Sequence, residues 1–130
     1  MENLDIFYSR SGEAKHFHFR LTLCPMHRNN SHFQVEGFYL DHNNITSLDL
    51  GLIATAFPNL VTIRLSNNKV KTLANSQATS HQLKELSLEE LDLSFNNLQV
   101  IQVATFTGLT NLRSLNLSNN QIHTFIQVCK

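Results

Sequence analysis

Residues 91–101 read LDLSFNNLQVI and residues 115–125 read LNLSNNQIHTF, two spellings of one word. In each, a polar residue separates two aliphatic ones, and an asparagine stands three places after the second. Aligned on that asparagine, the pattern recurs at Asn43, Asn68, Asn96 and Asn120, at steps of 25, 28 and 24 positions. Val35, Leu60, Leu88 and Leu112 stand eight before it; Phe38, Ile63, Leu91 and Leu115 five before; Leu40, Leu65, Leu93 and Leu117 three before. Ile45, Val70, Leu98 and Ile122 follow two after, and Leu48, Leu73, Ile101 and Phe125 five after. Every one of these positions is apolar, and self-similarity at such a period marks a stack of repeats. Alternation between five and three before the asparagine is strand periodicity, with the aliphatic side chain inward and its neighbours outward. The asparagine ends the strand. Pointing inward at a bend, its carboxamide both donates and accepts, so it satisfies backbone groups that no strand partner reaches. Stacked copies of Asn43, Asn68, Asn96 and Asn120 therefore predict a structural ladder.

These residues follow LxxLxLxxNxLxxL over about residues 33 to 126, and the chain resembles the leucine-rich repeat family. The 24-residue step from Asn96 to Asn120, entered through ATFTGLTNL, is similar to the typical extracellular repeats of Toll-type receptor ectodomains and secreted insect immune proteins. The resemblance implies an α/β repeat solenoid: a short leucine-rich repeat horseshoe with a concave parallel β-sheet and a mostly irregular convex side. It implies a buried convex aromatic at Phe106, with Phe57 in a comparable role. Because strands pack about 4.8 Å apart while the outer segments need more width, the sheet side becomes concave.

Two regions follow: residues 1–32 as a strand or cap-like segment and residues 33–130 as about four repeats. Within HFHFRLTL, Phe17, Phe19, Leu21 and Leu23 alternate with polar residues, which predicts a strand capping the first repeat. LCPM supplies the Cys24 and Pro25 of an extracellular cap, but the further cysteines of the family's caps are missing. In the long step LKELSLEELDLSF offers two strand words, Leu86 with Leu88 and Leu91 with Leu93; the second leads to Asn96 and is preferred. ANSQATSHQ, Ala74 to Gln82, reads as a convex loop with little secondary structure.

At 130 residues and 42% hydrophobic content, the chain suits one domain with a core. Ten Lys plus Arg balance ten Asp plus Glu, which leaves no field to gather nucleic acid or anionic membranes. As written, no apolar run is long enough to span a bilayer and the start MENLDIFYSRSGEAK is no signal peptide. Cys24 and Cys129 flank four strands at about 4.8 Å each, too far for a disulfide, whose Cα atoms lie within about 7 Å. The expectation at QVCK is an incomplete product, whose remainder would bring a partner for Cys129 and an export signal. Were the ends true, Phe125, Ile126 and Val128 would lie open and the chain would self-associate.

The residues between the inward ones project from the sheet in rows. Tyr39, Arg64, Asp92 and Asn116 form one; Gly37, Thr62, Glu90 and Ser114 another; Asp41, Ser66, Ser94 and Ser118 a third; His42, Asn67, Phe95 and Asn119 a fourth. The mixture of aromatic, Arg and acid is that of protein interfaces, so Tyr39, Asp41, His42, Arg64, Glu90, Asp92, Phe95 and Asn116 are the candidate ligand-binding residues. The bland alternative is a surface ion pair between Arg64 and Asp92. Asn29, Asn44 and Asn116 open glycosylation sequons that matter on a secretory route. His16, His18, Cys24 and His27 suggest zinc by residue type but match no closed-site spacing, so no metal and no cofactor is expected. No nucleophile-elbow word and no phosphate-cradling glycine loop occurs, which argues against an enzyme. The resemblance implies an extracellular or membrane-associated binding module, with a protein or pathogen-derived ligand, or another leucine-rich repeat chain, as partner and innate immunity as setting. The competing readings are a structural segment of a longer receptor whose ligand site lies elsewhere and, behind it, a zinc-binding N-terminal region.

Overall fold

The computed structural model describes residues 3–9, 16–25, 31–75 and 80–127, with side chains over 35–75 and 83–127. Strands β1 (Asn3–Ser9), β2 (His16–Pro25) and β3 (Ser31–Tyr39) come first, followed by β4 (Ser47–Asp49) and helix α1 (Leu50–Ala56). Then come β5 (Thr62–Arg64), β6 (Thr72–Ala74), α2 (Ser80–Glu85), β7 (Glu90–Asp92), β8 (Val100–Gln102), α3 (Ala104–Thr107), β9 (Ser114–Asn116) and β10 (Thr124–Ile126). The chain is an α/β repeat solenoid.

A six-stranded sheet in the order β1-β2-β3-β5-β7-β9 forms its main wall. From β3 onward the strands are parallel and in register: Phe38, Ile63, Leu91 and Leu115 stand abreast, as do Tyr39, Arg64, Asp92 and Asn116. The strand expected over HFHFRLTL is β2; it pairs antiparallel with both β1 and β3 and extends the sheet beyond the first repeat. β1 has no counterpart in the sequence analysis. In the long step the strand is Glu90–Asp92, the second of the two overlapping words.

Inward side chains of successive coils share one core. Leu60, Ile63, Leu65, Val70, Leu88, Leu91, Leu93 and Leu98 are almost wholly buried. Burying each contributes about 1.5–3 kcal/mol relative to exposure. Phe57 caps α1 and meets Phe38 edge to face, ring centroids 5.0 Å apart, while Phe106 on α3 is partly buried against the same core. At the last described coil burial fades: Leu115 is 38% and Phe125 64% exposed.

Both ends of the segment Ala74–Gln82 carry regular structure that its composition does not suggest. Ala74 ends β6, and Ser80 begins α2, which runs through the supposed loop's last residues. Residues 76–79 lie outside the described chain. The anchor is downstream: Leu83 is buried, and Gly108, just after α3, lets it approach so closely that a Cβ there would sit 2.9 Å from its Cδ1. A polar window of nine residues cannot reveal a helix whose apolar contact lies beyond it. Among the described residues no helix is long and apolar enough to cross a membrane.

Candidate functional site: the open face of the sheet

Strand pleating sends Gly37 and Tyr39 to the face opposite the core, and parallel register lines up their counterparts in the next three coils. Gly37 serves Tyr39 directly. A Cβ at Gly37 would lie 2.6 Å from Tyr39 Cε2, so the ring folds back over its own strand because the residue two places earlier has no side chain. Arg64, one strand over, sets its guanidinium carbon 5.5 Å from the Tyr39 ring centroid, within cation–π range. On its other side Arg64 Nε donates to Glu90 Oε1 at 3.2 Å. Three strands thus contribute one connected group: aromatic ring, guanidinium, carboxylate. A hollow of about 170 Å³ lined by Glu36, Tyr39, Val61 and Thr62 opens beside it.

The ion pair anticipated between Arg64 and Asp92 is not the one formed. Asp92 is engaged within its own coil, its Oδ1 accepting from Ser94 N–H at 2.9 Å and Ser94 Oγ–H at 2.7 Å. Asn116 holds Ser118 in the same way, at 3.1 and 2.7 Å. In the sequence the signal for both is Asp or Asn followed two places on by Ser, a side-chain turn. Asp41, which occupies the serine's place in the first repeat, reaches instead into the next coil and accepts from Ser66 N–H and Oγ–H at 2.8 and 2.9 Å.

His42, Asn67, Phe95 and Asn119, the residues just before the four asparagines, have φ of 57°, 56°, 54° and 55°. This left-handed backbone is tolerated by Asn and costs an aromatic residue more. Phe95 is nonetheless there, and 52% exposed.

Beneath the face runs the asparagine series. Asn96 Nδ2 donates to the carbonyls of Leu65, Leu93 and Ser94 at 2.9–3.0 Å, and its Oδ1 accepts from Val70 N–H at 3.0 Å. Asn68 repeats this with the carbonyls of Leu40, Leu65 and Ser66 and with Ile45 N–H. Asn120 does so with Leu93, Leu117, Ser118 and Leu98. Asn43 closes its own turn through the carbonyls of Leu40 and Asp41. Each side chain from Asn68 on ties its coil to the preceding one.

Tyr39, Asp41, Glu90 and Asp92 are half-buried, and His42, Arg64, Phe95 and Asn116 are exposed. Of the sequons, Asn44 and Asn116 are exposed, whereas Asn29 lies outside the described residues. His16, His18 and Cys24 fall on β2, whose side chains are not described, and His27 and Cys129 lie outside the described residues altogether. Among the described residues no three His, Cys, Asp or Glu side chains converge to hold a metal. The face offers aromatic stacking, charge and hydroxyl contacts, the chemistry of non-covalent recognition.

Comparison with known proteins identifies the repeat. Residues 86–129 match a family model described as Leucine rich repeat. Fibromodulin of Bos taurus is 38% identical over 91 residues, 70% of this chain and 22% of its own. Tsukushi of Gallus gallus is 32% identical over 105 residues, 75% of this chain and 28% of its own. Leucine-rich repeats and immunoglobulin-like domains protein 1 of Homo sapiens is 33% identical over 86 residues, 66% of this chain and 7% of its own. The chain thus spans under a third of the length of each of these relatives.

Proposed function

Because this chain belongs to the leucine-rich repeat family, we propose that it is a protein-binding module that takes its ligand on the open, concave face of the sheet. The observation that carries this is the Tyr39–Arg64–Glu90 group, in which three successive strands present an aromatic ring, a guanidinium and a carboxylate side by side. Aromatic residues and Arg are the side chains that dominate interface energetics. Phe95, at the strained position of its turn, and Asp41, His42, Asp92 and Asn116 complete the surface. The relatives are extracellular, two secreted and one membrane-bound, which supports a ligand met outside the cell. Fibromodulin-like relatives act by binding or as structural components rather than by catalysis, which favours the same role here. Recognition of a pathogen-derived ligand in innate immunity is the narrower form of the proposal; it rests on the 24-residue step between Asn96 and Asn120.

A photo-crosslinking side chain placed at position 95 tests it, with the same group at Leu52, an exposed residue of α1, as control. A defined protein partner caught from extracellular fluid at 95 and not at 52, and lost on adding Arg64→Ala, is expected. Equal capture at both positions, or capture indifferent to Arg64, overturns the proposal.

A further inference from the structure

On the return wall the coils are joined at alternate steps. β4 bonds to β6 and β8 to β10, each as a two-stranded parallel ladder, and among the described residues no strand joins β6 to β8. The N–H of Asn97 donates to the Val70 carbonyl at 3.0 Å, the last backbone bond between these two coils on this wall among the described residues. Past it lies a cleft of two adjoining hollows, about 370 and 180 Å³. Lys71 and Val100 line both hollows; Thr72 and Leu73 form one bank, Gln99 and Gln102 the other.

A strand without a neighbour presents a row of N–H and C=O groups that require water or another extended backbone. On β8 their direction follows from the bonds already made. His123 N–H donates to the Gln99 carbonyl and Val103 N–H to the Ile126 carbonyl. Alternate residues from Gln99 to Val103 therefore turn their backbone toward β10, and Val100 and Gln102 turn theirs toward the cleft. Val100, 44% exposed, and half-buried Leu73 add apolar contact. Among the described residues Lys71 is the one charged residue on the lining.

We propose that this cleft is a second binding site, which takes an extended segment of a partner polypeptide by strand addition, with an acidic side chain of that segment opposite Lys71. The edge itself selects this occupant. Donors and acceptors alternating at strand spacing match polypeptide backbone, and the positive charge of Lys71 sets the sign of the side chain it meets. The site is carried by different strands from the open face and does not depend on the reading given to that face.

The test is an NMR titration of the whole chain with a short, end-blocked peptide of alternating Thr and Val bearing one central Asp, and with its Lys counterpart. Shift changes and slowed amide exchange at Thr72–Ala74 and Val100–Gln102 are expected with the Asp peptide. Affinity should fall about fivefold for the Lys peptide and for Lys71→Glu, the weight of one partly exposed charge contact. Gln102→Pro should weaken binding about tenfold, since it removes an edge N–H while the ladder to β10 uses the alternate residues. Shifts confined to β3, β5, β7 and β9, no binding at millimolar peptide, or binding indifferent to both variants overturns the proposal. So does a dimer in sedimentation that Gln102→Pro abolishes, because the edge would then pair with a second copy of the chain.

Discussion

The side-chain nitrogen of Asn96 donates to the carbonyl of Leu65, 2.9 Å away and 31 positions earlier in the chain. The same carboxamide closes its own turn on Leu93 and Ser94 and holds Val70 N–H. One side chain therefore both finishes a strand and hooks its coil to the one before.

Asn96→Ala strands these buried partners. At about 1 kcal/mol for each lost bond the cost should reach about 3 kcal/mol or more. Asn120→Ala removes the equivalent bonds where water has access, and should cost about half as much. Urea unfolding of the two variants checks the order.

Leu91 is fully buried and its row-mate Leu115 is 38% exposed. Leu91→Ala should destabilise by about 2–5 kcal/mol and Leu115→Ala by roughly 1 kcal/mol, since a partly open site loses less transfer energy and leaves no sealed cavity. Thermal melts separate them.

Phe95→Asn should stabilise the chain by about 1 kcal/mol, because Asn accepts a φ of 54° more readily than an aromatic residue. If Phe95 anchors a ligand, the same change should weaken partner binding about tenfold or more. Opposite signs for stability and affinity, from denaturation and titration of one variant, are the expected result.

Gly37→Val should leave stability within about 1 kcal/mol, since Val suits a strand and the obstructing atoms belong to a ring that can swing away. The displaced Tyr39 then no longer underlies Arg64. Partner affinity should fall as far as in Tyr39→Ala, a comparison that titration makes directly.

Asp49 Oδ1 accepts from Gly51 N–H and Leu52 N–H at the start of α1. Asp49→Ala should cost about 1 kcal/mol, the usual loss for a removed helix cap, while Asp49→Ser retains most of it. Chemical denaturation of the pair tests the assignment.

The register of the main wall was legible because it depends on backbone spacing alone. Phe38, Ile63, Leu91 and Leu115 could be placed abreast by counting back from an asparagine, and so could the row of Tyr39, Arg64, Asp92 and Asn116. What those side chains then do was less accessible. Arg64 could reach either acid; it pairs with Glu90, while Oδ1 of Asp92 accepts from the serine two residues beyond it. The left-handed turn before each asparagine is hinted at by Asn67 and Asn119 but hidden by His42 and Phe95. α2 escaped because its anchor, Leu83 against Gly108, joins residues far apart in the chain. The missing ladder between β6 and β8 follows the longest step, whose length alone does not say which strands part.

A tube sewn at every turn along one seam and at every other turn along the opposite seam does not flex evenly. Two blocks should be the stiffer parts, the coils joined through β4 and β6 and those joined through β8 and β10. Bending is expected to concentrate where β5 meets β7, beneath the salt link from Arg64 to Glu90, a pattern that hydrogen exchange along the chain would reveal. A ligand spanning that joint would act as a splint.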